Sequence, residues 1–157
     1  MEKVTINKTM HLSEHFTLGE VTKSEHKDVY NIPSHVAIEN LKRVCVWLEA
    51  LRKRYNQRYV LGEEEPIIIN SGYRSPELNK KVGGSPTSNH LTGCAVDIRV
   101  NGIEQAMRYA VILMDYADET KQDYDELLIE KNSRGAIWLH FAVRHKDNRR
   151  KTMFLQK

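Results

Sequence analysis

The feature that most constrains the fold is a strict alternation in residues 136–143. Period two sends Ile137, Leu139, Phe141 and Val143 to one face, and Trp138, His140 and Ala142 to the other. Residues 125–130 read as the preceding strand, joined to it by a turn at Asn132-Ser133-Arg134-Gly135. Upstream, residues 94–100 form another strand, with Val96, Ile98 and Val100 opposite Ala95, Asp97 and Arg99. Pro66-Ile67-Ile68-Ile69-Asn70 reads as a short buried strand. Two helices separate these pieces. Residues 34–55 carry a stripe of Ile38, Leu41, Val44, Cys45, Leu48 and Leu51 behind a Ser34 cap. Residues 103–116 carry Ile103, Ala106, Met107, Ala110, Val111 and Met114. Thr17 and Glu20 have capping-box spacing, which predicts a short helix near Leu18, and Ser75-Pro76 opens a brief one. Strands this close in sequence favour antiparallel pairing and an α+β domain.

A chain of 157 residues suits one domain spanning 1–157, with a core of about 12–144 and a basic tail at 145–157. The net charge of +3 comes largely from Arg144 and the tail that follows it, through Lys146, Arg149, Arg150, Lys151 and Lys157. A solvated, partly disordered tail is the expectation. Brushing contact with an anionic wall polymer is the alternative, and no nucleic-acid partner is expected. Cys45 and Cys94 sit in apolar contexts and read as small buried hydrophobes. Residues 1–10 are polar and show no secretory signal, and no apolar run is long enough to span a membrane. Synthesis in the cytoplasm, no membrane partner and a monomer are therefore expected.

The chemistry-bearing residues are His90, at the end of a loop, Asp97 in a strand, and His140 beside Trp138 on the polar side of a strand. Two imidazoles and a carboxylate make a three-ligand zinc set with a fourth position open to water, which distinguishes a catalytic from a structural site. The spacing alone leaves another reading open: a surface histidine, a capped strand acid and a satisfied core histidine.

Ser71-Gly72-Tyr73-Arg74-Ser75-Pro76-Glu77-Leu78-Asn79, then Val82-Gly83-Gly84-Ser85, Ser88-x-His90-x-x-Gly93-x-Ala95-x-Asp97 and Trp138-x-His140 resemble the M15 family of zinc D-Ala-D-Ala carboxypeptidases and endolysin-type peptidases. Residues 11–18 also resemble the start of its small single-domain members, so the likeness covers roughly 12–144. It implies the α+β fold shared with the hedgehog signalling domain, with a central, mainly antiparallel sheet flanked by helices. It implies cleavage of D-amino-acid-containing peptidoglycan stem peptides, with one zinc per chain on His90, Asp97 and His140. Arg74 matches an active-site arginine that holds a carboxylate or an oxyanion; a surface salt bridge is its other reading. Ser88 matches a serine for substrate hydrogen bonding, or caps the loop. Tyr73 and Trp138 are expected as walls of the cleft, and Gly83-Gly84 as a backbone turn.

The chain departs from several relatives at Ile137, where they carry an acid three positions before the last histidine. Glu130, whose segment resembles a block that ends in Glu in small members, takes the general-base role; otherwise it is a solvated strand-end acid. Asp125 is the second candidate for that base, and its stronger reading is the partner behind a ligand histidine that orients it. Two functions follow: a stem-peptide hydrolase of cell-wall remodelling or phage lysis, reaching the wall after release, or a zinc-bearing binding module of the same fold.

Overall fold

The computed structural model describes residues 6–157, so the first half of the polar stretch 1–10 lies outside the described residues. Helix α1, His35–Tyr59, begins where Ser34 Oγ accepts the Ala37 amide, as its capping position requires. It runs four residues past the predicted end. Asn56 supports that extra turn, since its side chain bonds the Arg52 carbonyl and both the amide and the carbonyl of Glu65. Strand β1, Ile69–Ser71, and the short helix α2, Pro76–Lys81, follow. A 3₁₀ turn, Asn89–Thr92, leads into strand β2, Ala95–Arg99. Then come α3, Ile103–Thr120, and strands β3, Glu126–Lys131, β4, Ile137–Ala142, and β5, Lys151–Gln156.

The strands form one sheet in the order β1-β2-β4-β3-β5. All neighbours are antiparallel except β3 and β5. The α+β expectation and the β3–β4 hairpin are thus met. Leu41, Val44, Leu48 and Leu51 of α1 and Tyr109, Ile112 and Leu113 of α3 bury against Val96, Ile98, Leu139 and Phe141 of the sheet. Trp47 sits at the centre, 4.9 Å from the Tyr116 ring and 5.4 Å from Phe141. Each such aliphatic or Phe side chain, fully buried, contributes roughly 1.5–3 kcal/mol of transfer free energy. Because the helices take the odd-numbered side chains of β4, its even-numbered ones are left for the opposite face.

Several expectations need correction. The Thr17–Glu20 box forms its reciprocal bonds, yet only turns follow. The Val21 carbonyl accepts from Tyr73 at 2.7 Å, which leaves it unavailable to a continuing helix. The 66–70 run is an edge strand displaced toward Ser71, with Ile67 and Ile69 in the core and Ile68 exposed. An apolar triplet does not reveal that only one of its faces is covered. On α3 the buried residues are Ala106, Tyr109, Ala110, Ile112, Leu113 and Ala117. Ile103, Met107 and Val111 lie exposed on a second apolar stripe. Both cysteines are buried and free, as expected.

The tail differs most. Residues 151–156 are not solvated coil but pair in parallel with β3, and the Lys151 and Lys157 amides bond Asp125 O and Lys131 O. Its cations serve internal acids: Arg149 binds Asp125, and Arg150 binds Asp118 and Asp123. No helix among the described residues is long and apolar enough to cross a membrane.

Candidate metal centre

His90 is delivered by the 3₁₀ turn. Ser88 caps that turn, its Oγ accepting the His90 amide at 3.1 Å, and the residue also lines the cleft, where its O–H still has a proton to donate. Gly93 closes the turn at φ 77°, and a Cβ there would meet the Ala37 carbonyl at 2.5 Å, so glycine alone fits both constraints. His90 Nδ1 lies 2.7 Å from the Gly72 carbonyl oxygen. A carbonyl only accepts, so Nδ1 carries the proton and Nε2 offers its lone pair. That Nε2 is 3.3 Å from Asp97 Oδ2.

Asp97 and His140 face one another across the β2–β4 register, with Oδ1 3.1 Å from His140 Nδ1. The three donor atoms lie within 4.8 Å of one another, and the two imidazole rings are 5.2 Å apart. Ligand atoms around a tetrahedral zinc with bonds of about 2.1 Å lie roughly 3.4 Å apart. The set therefore fits zinc in both chemistry and spacing. Burial opposes charge on Asp97, but His90 and His140 outweigh it and hold the carboxyl well below the usual range. Burial likewise opposes the imidazolium of His140, yet Asp97 and Glu126 raise its pKa to about 9.

Glu126 is a residue the sequence reading missed. Its Oε1 is 3.0 Å from His140 Nε2, which leaves Nδ1 turned to the other donors. Against the cost of burial, the bonds from His140 and Asn89 hold its carboxyl down to about 2. Period two could have found it. Glu126, Leu128 and Glu130 share a face of β3, and Leu128 opposes His140. The orienting role expected of Asp125 belongs here instead. Asp125 is wholly buried beneath Arg149, Asn89 and Arg144, one position off that face. Asn89, also missed, ties Asp125 to Glu126 at 2.8 and 2.6 Å. Glu126→Gln should weaken zinc binding 10- to 100-fold, measured by competition with a chromophoric chelator, with the fold intact by circular dichroism.

A cleft of about 540 Å³ opens at this centre, lined by Arg74, Ser88, Glu126, Glu130, His140 and Lys157 among others. Glu130 is 2% exposed. Its Oε1 is 3.7 Å from His140 Nδ1, on the side of the ligating nitrogen, and Oε2 is 2.8 Å from Lys157 Nζ. It is not a solvated strand-end acid. Arg74 is no surface residue either. Its guanidinium reaches Asp97 Oδ2 at 3.4 Å and Asn79 Oδ1 at 3.2 Å, and its backbone amide bonds the His90 carbonyl. A Cβ on Gly84 would fall 2.1 Å from Asn79 Oδ1 and 2.9 Å from Arg74 Nη1, so this glycine makes room for the guanidinium as well as for the turn. Tyr73 departs from expectation: it packs into the core and does not line the cleft. Trp138 is likewise not among the residues that line the cleft; it sits opposite Glu130 on β4, with the Lys157 ammonium 5.9 Å from its ring.

The model of the peptidase M15 family matches residues 14–122. The chain belongs to that family. No curated protein matches it. Membership in peptidase M15, a family that is zinc-dependent in general, makes the chain a metallopeptidase, with His90, Asp97 and His140 as its possible metal site. The matched segment carries Arg74, Ser88, His90 and Asp97, and it stops before Glu126, Glu130 and His140. These last three join the M15 site through the β2–β4–β3 register.

Proposed function

We propose that the protein is a zinc peptidase that hydrolyses D-amino-acid-containing stem peptides of peptidoglycan, in wall remodelling or phage-type lysis after its release from the cytoplasm. The observation that carries this reading is the convergence of a three-donor zinc set, an arginine and a buried glutamate on one cleft. His90, Asp97 and His140 would hold the zinc, which would supply Lewis acidity for the scissile carbonyl and for an attacking water. Glu130 Oε1 accepts the proton of that water and returns it to the leaving amine. Arg74 offers guanidinium donors to the developing oxyanion or to a stem-peptide carboxylate. Glu126 keeps His140 oriented throughout. The basic residues near the tail are occupied by Asp118, Asp123 and Asp125, which favours a peptide over a nucleic-acid partner.

The test is a synthetic stem pentapeptide ending in D-Ala-D-Ala beside its all-L isomer, with cleavage followed by mass spectrometry. Cleavage of the first only, at any of its bonds, is expected. Arg74→Lys should lose on the order of 100-fold in kcat/KM at unchanged zinc content, because a point charge cannot replace the planar fork. Near-normal activity would reduce Arg74 to a structural partner of Asp97. Stoichiometric zinc with no cleavage of any stem peptide would favour a zinc-bearing binding module.

A further inference from the structure

The β5 strand lies outside the family match and carries a cation into the site. Glu130 is buried on β3, and a buried carboxylate needs a partner. Its paired lysine or arginine among the described residues is Lys157. The parallel register sets Leu155 beside Glu130 and Gln156 beside Lys131, and the Lys157 amide then bonds the Lys131 carbonyl at 2.8 Å. From there the side chain lines the cleft. Its ammonium stands between the Glu130 carboxylate and the Trp138 ring, which is half-buried opposite Glu130. The contact to Oε2 is an ion pair without hydrogen-bond alignment, and among the described residues Oε2 has no other partner. The two carboxylate oxygens are thus divided, Oε2 toward Lys157 and Oε1 toward His140 Nδ1.

We propose that Lys157 is a positioning residue: by anchoring Glu130 Oε2 against Trp138, it keeps Oε1 on the metal side of the cleft. This rests on the reading of Glu130 as the base. Without Lys157 the carboxylate can rotate about its terminal torsion, which is broad and roughly two-fold, and lose its alignment. Misplacement on that scale costs turnover rather than substrate affinity.

The test compares Lys157→Met, Lys157→Arg, Glu130→Gln and the Lys157→Met/Glu130→Gln pair in the full chain. Lys157→Met should lower kcat about 10- to 100-fold with KM nearly unchanged and zinc content intact, and Lys157→Arg should restore most of the loss. A second readout uses the metal-free protein. Lys157→Met should lower the melting temperature by about 5 °C, because a buried carboxylate loses its counter-charge, and adding Glu130→Gln should recover most of that loss. Parent-level kcat in Lys157→Met, beside an inactive Glu130→Gln, would overturn the positioning role alone. Melting temperatures that simply add would overturn the pairing. A fully active Glu130→Gln would instead defeat the base assignment, and the proposal with it.

Discussion

Replacing Glu130 with glutamine is expected to leave about one zinc per chain and to cut peptide hydrolysis by 100- to 10,000-fold, the range that general acid–base catalysis supplies. Glutamine keeps the volume of a side chain that is 2% exposed, so the packing between β3 and β4 survives. The amide cannot take a proton from water at neutral pH. Lys157 loses its partner but is half-exposed and regains water, so the fold tolerates the change. The zinc set is untouched, because the three donors are His90, Asp97 and His140, and Glu130 stands beside them with its Oε1 3.7 Å from His140 Nδ1. Metal analysis beside cleavage of a stem peptide separates the effects. Digestion at the parent rate would remove Glu130 from the chemistry and turn attention to Glu126.

His140→Ala should abolish stoichiometric zinc after dialysis, and activity with it. Two remaining protein donors rarely hold the ion against water. The substitution also strips Asp97 and Glu126 of the imidazole that lies between them, at 3.1 and 3.0 Å. Mutual repulsion among the uncovered carboxylates adds a fold penalty, so circular dichroism must accompany the metal assay. His90→Ala, which leaves the Glu126 contact in place, provides the parallel variant. Retention of one tight zinc by both variants would contradict the assignment.

The fold was legible where the pattern answered to a single buried face. The alternation of β4 separates Leu139 and Phe141 from His140, and the α1 stripe ends up in the core. It was not legible where two solutions satisfy one pattern. Helix α3 has two apolar stripes, and only tertiary packing against α1 and the sheet chooses Tyr109, Ile112 and Leu113. The basic 145–157 segment has ordinary tail composition. The acids that bind its cations, Asp118, Asp123 and Asp125, lie 24 to 32 residues upstream of their partners, beyond any local window. The same limit shaped the site. His90, Asp97, His140, Arg74 and Glu130 are marked by motif and converge on one centre. Glu126 and Lys157 were hidden because their contacts arise from strand register, and Asn89 because its contacts run from the 3₁₀ turn to β3; each lies one position from a residue the sequence singled out or in the tail it set aside. Tyr73 misled for the opposite reason: a motif residue can be retained for packing, and this one fills the core beside Val21.

The central claim is that this centre, loaded with zinc, hydrolyses stem peptides. Purified sacculi should be incubated with metal-free protein, with the same protein after one equivalent of zinc, and with zinc-loaded Glu130→Gln. Released and trimmed stems are then read by mass spectrometry. The account predicts new stem-peptide termini only with the zinc-restored parent protein. Intact stems in that sample, from protein shown to hold one zinc on His90, Asp97 and His140, would contradict it.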